Sequence, residues 1–307
     1  MPERSDDIDS PAPSGGAGIA VCIVCRNEAD KLRPCLESVQ WADEVVVMDL
    51  ASSDASAELA RSFGARVISR EPVPVVESVR NEVAASARAD WILVLDPDER
   101  VTPGLAAELA HISLNPDTDA VILPRMNIDL GYPPSDPLHR YEPQLRMYRR
   151  SRVQWPTVPN ALPQVAEERL YRIAPRDELV LLHDRSRNIP EVLERSVRYA
   201  PAQAQSMLDR GQLFTARAMI AALGGHLYKQ FVQGRALRDG VPGFLRAGIL
   251  VGFHFYVWAA FWQLSGAKRT PSDDRYLGRL GALLDGYRRV RRAARAPYRL
   301  MRRIFNR

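Results

Sequence analysis

The 307-residue chain has little cysteine, and no glycine-rich loop follows its first apolar segment. Its three cysteines, Cys22, Cys25 and Cys35, are too few for a disulfide scaffold and indicate a reducing compartment. Cys22 and Cys25 are three residues apart in a predicted strand, so their thiols should face opposite sides of a sheet, which disfavours zinc or redox chemistry. The segment 26–30 lacks the glycines that let a dinucleotide-binding fold approach pyrophosphate, which disfavours a nicotinamide dehydrogenase.

The N-terminus also lacks the basic lead and long apolar core of a secretory signal. Residues 1–17 are acidic and then rich in proline and glycine, which predicts a disordered leader. The formal net charge of +5 is unevenly distributed, because residues 275–307 contain eleven arginines, no lysine and one acid, Asp285. The remainder of the chain is therefore slightly acidic, and the basic character belongs to the tail.

Apolar strands and amphipathic helices alternate four times in the first part of the chain. Strands are predicted at 18–25, 44–49, 65–69 and 91–95, and helices at 29–41, 55–63 and 78–88. This order predicts an α/β fold with a doubly wound, mostly parallel sheet. Polar residues close each strand, and the carboxyl ends of parallel strands share one edge of a sheet. The loops that begin at Asn27, Asp49, Arg70 and Asp96 should therefore converge on one pocket.

The stretch from Trp91 to Glu99 is the centre of this pattern, because five apolar residues run directly into Asp96 and Asp98. Residues two apart in a strand face the same way, so both carboxylates can present oxygens to one hard cation such as Mg²⁺ or Mn²⁺. Two adjacent carboxylates repel each other unless a cation lies between them, and the phosphates of a diphosphate need a cation for the same reason. The alternative is that Asp-Pro-Asp is only a turn.

These residues resemble the family 2 glycosyltransferases of the GT-A fold. The resemblance rests on four ordered motifs, and it is good from Gly18 to about Leu114 and looser to Leu264, towards the subgroup of lipopolysaccharide-core β-glucosyltransferases. The motifs are the opening strand with Asn27-Glu28, the loop from Asp49 to Ser56, Ser78-Val79-Arg80-Asn81, and Asp96-Pro97-Asp98-Glu99.

The resemblance implies roles for the residues of these motifs. Arg26, Asn27 and Glu28 would lie beside the nucleoside, Asp54 would accept from the base edge, Arg80 would bind the diphosphate, and Asp96 would lie near the ribose and the metal. Asp98 would be the direct metal ligand, with Mn²⁺ or Mg²⁺ as the cofactor. Each residue also has a structural alternative: Glu28 as a first-turn helix charge, Asp54 as an N-cap and Arg80 as a solvated side chain.

The acceptor side departs from the family pattern. Members of the subgroup tend to carry Val-His-Glu after an Arg-x-Phe/Tyr stretch, whereas Pro159 and Asn160 stand where His and Glu are expected after Arg146-Met147-Tyr148. Asparagine cannot act as a base, which leaves Glu142, Glu167 or Asp184, and Asp184 is the predicted base. His183 and Asp184 end the apolar run 179–182, which predicts a further strand that returns both residues to the pocket, and His183 is a candidate to complete the metal shell. The proline-containing stretch 127–143 is predicted to be a loop, either a lid or disordered.

The C-terminal part is predicted to be helical and to contact a membrane. A helical pattern over 189–239 is broken at 240–243, and residues 247–264 are apolar and rich in aromatic residues. That segment fits an interfacial helix, with a transmembrane or a buried core helix as alternatives. The tail repeats leucines at helical spacing among arginines, which predicts a helix on anionic lipid. No recognition motif supports nucleic acid as a partner.

Together these patterns predict a GT-A glycosyltransferase domain at 18–188, a helical extension at 189–274 and a basic amphipathic tail at 275–307. The expected activity is an inverting transfer of a sugar from a nucleotide diphosphate, UDP in the first place, to a lipid-linked or cell-surface glycan at the inner face of the cell membrane. Two alternatives are a catalytically silent nucleotide-binding membrane protein of the same fold and a haloacid-dehalogenase-type phosphatase that uses Asp96.

Overall fold

The structure, a computed structural model, describes residues 18–73, 77–136, 140–156 and 163–305. The chain divides into two compact units, Met1–Arg187 and Asn188–Arg307. The predicted leader at 1–17 and the stretch with Pro159 and Asn160 lie outside the described residues, so both interpretations stay predictions.

The first unit opens with four parallel strands joined by helices. The sheet order is β3-β2-β1-β4, with Cys25 of β1 level with Asp49 of β2, and Ile23 level with Leu95 of β4. The predicted α/β alternation is therefore confirmed, and every strand bound falls within one residue of its prediction. The elements are β1 Ile19–Cys25, α1 Ala29–Ser38, β2 Glu44–Asp49, α2 Ser56–Ser62, β3 Arg66–Ser69, α3 Glu77–Ser86 and β4 Trp91–Leu95.

The other half of the sheet is mixed. From β4 it continues through β7, β6 and β9 to β5, with β8 paired to β6, among the described residues. β7 runs antiparallel to β4 and β6, whereas β9 runs parallel to β6. The elements are β5 Glu99–Val101, α4 Pro103–Ser113, β6 Ala120–Asp129, β7 Tyr141–Arg149, a 3-10 turn Glu167–Arg169, β8 Leu170–Arg172 and β9 Leu181–Ser186.

The predicted loop over 127–143 is wrong at both ends, because β6 extends to Asp129 and β7 begins at Tyr141. Prolines misled the prediction, since proline lacks the amide that a ladder uses and normally marks a strand edge or an irregular segment. Here Pro124 of β6 lies opposite Pro143 of β7, so the two strands place their missing donors at the same level of the ladder.

Helices cover both faces of the sheet, as a doubly wound fold requires. One buried cluster contains side chains of α1, α2 and α4 against one face, and a second contains Val79, Val83 and Ala84 of α3 against the other. Cys22 belongs to the second cluster and Cys25 to the first, so the two thiols face opposite sides of β1 as predicted. Burial raises the pKa of each thiol to about 12, so both stay protonated core groups.

The second unit is helical in the described residues. Its elements are α5 Ile189–Asp209, α6 Ala216–Tyr228, a π turn Lys229–Gln233, a 3-10 turn Ala236–Asp239, α7 Gly240–Leu264 and α8 Pro271–Phe305. The predicted break at 240–243 is instead the first turn of α7. Gly240 has a φ of +64°, and a Cβ on Gly243 would lie 2.1 Å from the Ala236 carbonyl oxygen. Both glycines are therefore required for the abrupt start of α7.

Candidate active site

The loops that follow β1 and β2 are tied together by hydrogen bonds. Asn27, at a φ of 54°, donates its amide N–H to Ser52 Oγ at 2.9 Å and accepts from the Ser53 N–H at 2.7 Å through Oδ1. Asp54 accepts from the amide N–H of Ala29 at 3.1 Å and of Ser56 at 3.0 Å. Desolvation acts to raise the pKa of Asp54, but the hydrogen bonds from the Ser56 hydroxyl and from these two amides outweigh it and lower the pKa.

Asp54 therefore acts as a helix cap, because it accepts hydrogen bonds from backbone amides at the start of α1 and α2. It is also exposed, as a group that contacts a ligand must be. Arg26 is exposed in the same loop. The structure brings Arg26, Asn27 and Asp54 to one edge of the sheet, and their nucleotide-binding role stays a prediction.

The segment after β4 is a turn rather than a continued strand. β4 ends at Leu95, the Glu99 amide donates to the Asp96 carbonyl at 3.0 Å, and the Asp96 amide donates to Glu99 Oε2 at 3.0 Å. The expectation that strand geometry points Asp96 and Asp98 the same way is therefore wrong. Proline and aspartate favour turns, and the reciprocal bonds with Glu99 close this one.

Asp96 is held by two arginines. Arg146 Nη2 lies 2.6 Å from Asp96 Oδ2, and Arg80 Nη2 lies 3.6 Å from Oδ1. Burial acts to raise the pKa of Asp96, but the charges of Arg146 and Arg80 outweigh it and hold the pKa well below its usual range. Asp96 is therefore an anion whose charge is already balanced by protein groups.

Arg80 is itself fixed in place. Its guanidinium lies 4.9 Å from the ring centroid of Trp155, and Asn81 brackets the Trp155 backbone with two hydrogen bonds of 2.7 and 2.9 Å. The Arg80 side chain is only 11% exposed. The alternative that Arg80 is a solvated surface side chain is therefore wrong, and a stacked, forked guanidinium suits a diphosphate.

A chain of alternating charges continues from Asp96 into the sheet. Arg146 also contacts Glu99 Oε1 at 2.6 Å, Arg125 contacts the same oxygen at 3.2 Å, and Arg125 contacts Glu142 at 2.7 Å. Glu99 is fully buried and Arg146 nearly so. Each buried charge has an opposite partner, which is the condition for keeping it ionised away from water.

Asp98 faces His183. His183 Nε2 lies 3.5 Å from Asp98 Oδ2, and His183 Nδ1 lies 2.6 Å from Asn127 Oδ1. The strand that carries His183 was predicted from sequence, and its return to the acids is confirmed by its pairing with β5, where His183 lies opposite Glu99.

Asp184 is placed differently. Adjacent residues of a strand face opposite sides, and the Asp184 carboxylate pairs with Arg100 at 2.9 Å rather than with the Asp98 and His183 group. The role of Asp184 as the base stays a prediction, which the geometry does not favour.

Glu28 completes the acidic neighbourhood. Burial, together with the charges of Asp98 and Asp96, raises the pKa of Glu28. Three carboxylates from the ends of β1 and β4 therefore repel one another here, a situation that a bound cation relieves.

Three residues were missed as parts of the site: Arg146, Arg125 and Trp155. A signal was present for Arg146, because a lone arginine between Leu145 and Met147 in an apolar strand must find a buried acid. The same argument applies to Arg125, between Pro124 and Met126. Trp155 gave no signal, because its contact with Arg80 joins residues 75 positions apart.

A divalent cation fits Asp98 and His183, which offer a carboxylate oxygen and an imidazole nitrogen within reach of one ion. No group of three or more histidine, cysteine, aspartate or glutamate ligands lies together in the part of the chain that the structure describes. With Asp98 and His183 as protein ligands, diphosphate oxygens and water would complete the shell, as is usual for Mg²⁺ at nucleotide sites.

The mixed α/β sheet brings acids and arginines together at the carboxyl ends of its strands, which is where α/β folds bind their ligands. Residues 20–172, about half of the chain, match the family described as Glycosyl transferase family 2. The chain belongs to glycosyltransferase family 2, has the GT-A type of fold, and is a glycosyltransferase. The phosphatase alternative is not favoured.

Three known proteins illustrate the similarity. A TPR repeat-containing protein of Synechococcus elongatus is 32% identical over 137 residues, which cover 43% of this chain and 34% of that protein. The lipopolysaccharide core biosynthesis glycosyltransferase LpsC of Rhizobium meliloti is 23% identical over 265 residues, 83% of this chain and 96% of LpsC. The solved mannosyltransferase of Pyrobaculum calidifontis in complex with GDP-Man and Mn²⁺ has a TM-score of 0.45 and 17% identity, covering 92% of this chain and 84% of that one.

Proposed function

We propose that the protein is a metal-dependent, inverting hexosyltransferase that takes its sugar from a nucleotide diphosphate, UDP in the first place. The observation that supports this most is the meeting of Arg80, Asp96, Asp98 and Glu28 at the strand ends, where a guanidinium and three carboxylates surround the same region. A divalent cation would reduce the repulsion among the carboxylates and bind the diphosphate oxygens of the sugar donor, which Arg80 would also contact.

The side chains divide the work. Arg80, stacked on Trp155, would hold diphosphate oxygens in a fork that lysine cannot reproduce. Asp98 and His183 would hold the divalent ion, which supplies Lewis-acid stabilisation of the departing diphosphate. Asp96, whose charge is balanced by Arg146, would keep Arg80 in position and accept a hydrogen bond from a ribose hydroxyl. Asn27, Glu28 and Asp54 would line the nucleoside.

The acceptor would be a lipid-linked or cell-surface glycan, reached at the inner face of the cell membrane. Support comes from the similarity to LpsC and from the second unit, in which an 18-residue window of the segment Ala236–Leu264 has a mean hydropathy of 1.5 and is only 22% buried. A helix that exposes most of an apolar surface of this kind suits the membrane interface better than a protein core.

The test is a thermal-shift panel on the full chain with UDP-glucose, UDP-galactose and GDP-mannose, each with and without Mn²⁺. A ligand at a hundred times its dissociation constant adds about 2.7 kcal/mol, which raises the melting temperature by about 5–10 °C. We expect this shift with a UDP-sugar only when Mn²⁺ is present. A shift with GDP-mannose alone would overturn the UDP assignment, and equal shifts with and without Mn²⁺ would overturn metal dependence.

A further inference from the structure

Neighbouring strands β7, β6 and β9 carry a row of polar side chains that ends beside Asp98. Glu142 of β7 lies opposite Arg125 of β6, and Asn127 of β6 lies opposite His183 of β9. Arg125 and Asn127 are two residues apart and share a strand face. The sheet register therefore aligns Glu142, Asn127 and His183 without any loop.

The orientation of the Asn127 amide is dictated by Glu142. Glu142 Oε2 lies 3.0 Å from Asn127 Nδ2 and 2.7 Å from an Arg125 nitrogen. An ionised carboxylate can only accept hydrogen bonds, so the NH₂ group of Asn127 must face it. The amide oxygen of Asn127 is consequently turned towards His183.

The Asn127 oxygen in turn dictates where the proton of His183 lies. His183 Nδ1 is 2.6 Å from Asn127 Oδ1, and an amide oxygen can only accept, so Nδ1 carries the hydrogen. The neutral ring then has a lone pair on Nε2. That nitrogen is 3.5 Å from Asp98 Oδ2, beyond the roughly 2.7–3.2 Å of an N–H···O hydrogen bond. When the ring is neutral, two electron-pair donors therefore face each other across this gap.

We propose that Glu142 and Asn127 form a positioning relay that keeps Nε2 of His183 unprotonated and directed at Asp98, so that the two side chains take one divalent cation. This deepens, and rests on, the divalent-cation site of the proposed function. Metal-ligating histidines generally donate their second nitrogen to a fixed acceptor, which sets the tautomer and raises the basicity of the ligand.

The ionisation of Glu142 supports the relay. Burial acts to raise its pKa, but the hydrogen bonds from Arg125 and Asn127 lower it below its usual range. The carboxylate is therefore charged, and acceptor only, at the pH of the cytoplasm.

The first measurement is the tautomer of His183 in metal-free protein. Long-range ¹H–¹⁵N correlation spectra at alkaline pH, where free imidazole is neutral, separate the two tautomers, and a His183→Gln variant assigns the signals. We expect the proton on Nδ1 in the unmodified chain. In Glu142→Gln the neighbour can donate as well as accept, so the Asn127 amide can turn over and we expect a substantial population with the proton on Nε2.

The second measurement is Mn²⁺ affinity in the presence of UDP, by isothermal titration calorimetry and by Mn²⁺ paramagnetic resonance. Loss of such an outer partner typically costs about 10–100-fold in metal affinity, and we expect roughly tenfold weaker binding in Glu142→Gln and more in Asn127→Leu. Glu194→Gln is the matched control, because it neutralises a glutamate of a solvent-exposed pair with Arg198. It should change neither the tautomer nor the affinity.

The two hypotheses fail differently. A proton on Nε2 in the unmodified chain, or an unchanged tautomer in Glu142→Gln, would overturn the relay. The expected tautomer with no Mn²⁺ binding would overturn the cation site instead. Because Glu142 is about half exposed, its glutamine variant should fold normally, so the test stands even if Asn127→Leu proves unstable.

Discussion

The two units of the chain differ in how much charge they bury and in how much apolar surface they expose. In the first unit Glu99 is 0% and Arg146 3% exposed, while the described apolar side chains of the sheet are buried around them. In the second unit Leu283 of α8 is 71% and Phe244 of α7 54% exposed. Buried charge and exposed apolar surface are the two departures from ordinary packing that most often mark function. This difference supports the proposal that the first unit carries the site chemistry and the second unit binds a surface.

The largest expected effect is on the buried charges. Arg146→Met should lower the free energy of unfolding by about 3 kcal/mol, because Glu99 and Asp96 lose their shared partner and keep only Arg125 and Arg80. Urea unfolding at pH 7 measures this. Arg172→Met, which removes the exposed pair with Glu167, should cost less than about 0.5 kcal/mol. Equal costs would show that the buried network is not held by Arg146.

The stability of Arg146→Met should also depend on pH differently from that of the unmodified protein. The Asp96 pKa is lower in the folded state than in the unfolded chain, so its ionisation contributes stability above about pH 4, which is lost as the pH falls. Arg146→Met should therefore lose less stability than the unmodified protein as the pH falls below about 4.

The next effect is on catalysis. Asp98→Asn should lower the rate of sugar transfer by at least about a hundredfold, or ~2.7 kcal/mol, because an amide is a poor ligand for a hard cation. Release of UDP from a UDP-sugar with Mn²⁺ measures the rate. Asp117→Asn, an exposed aspartate of the same unit, is the control and should leave the rate unchanged. Full activity of Asp98→Asn would contradict the proposed role of Asp98 as a metal ligand.

The sequence predicted what depends on local periodicity and failed where long-range geometry decides. The four parallel strands follow from apolar runs and their polar ends, and β9 with His183 follows from one further run. The turn at Asp96 to Glu99 was only the alternative to a continued strand, because its closure depends on Glu99, whose ion-pair partners are arginines of two distant strands. No pattern within one strand reveals the pairing of Arg80 with Trp155 or of Glu142 with Asn127.

A smaller effect should separate the second unit from the first. Leu283→Asp should weaken binding to vesicles with anionic lipid about tenfold, or ~1.4 kcal/mol, because it removes an apolar contact and adds a negative charge among arginines. Leu114→Asp is a close match, since Leu114 is 72% and Leu283 71% exposed, but Leu114 belongs to the first unit. Co-sedimentation with vesicles measures both. If Leu114→Asp weakened binding equally, the assignment of lipid binding to α8 would be wrong.

The smallest expected effect concerns the predicted base. Asp184 pairs with Arg100 on the strand face opposite His183, so Asp184→Asn and Arg100→Gln should each lower turnover less than about fivefold and by similar amounts. A general base raises the rate by about 10²–10⁴-fold, so the loss of a true base would lower turnover far more than fivefold. A fall of a hundredfold in Asp184→Asn alone, with loss of the acidic limb of the pH–rate profile, would establish Asp184 as the base. Similar small losses in the two variants would instead mean that the ion pair only joins β5 to β9, and that the proton acceptor lies elsewhere in the first unit.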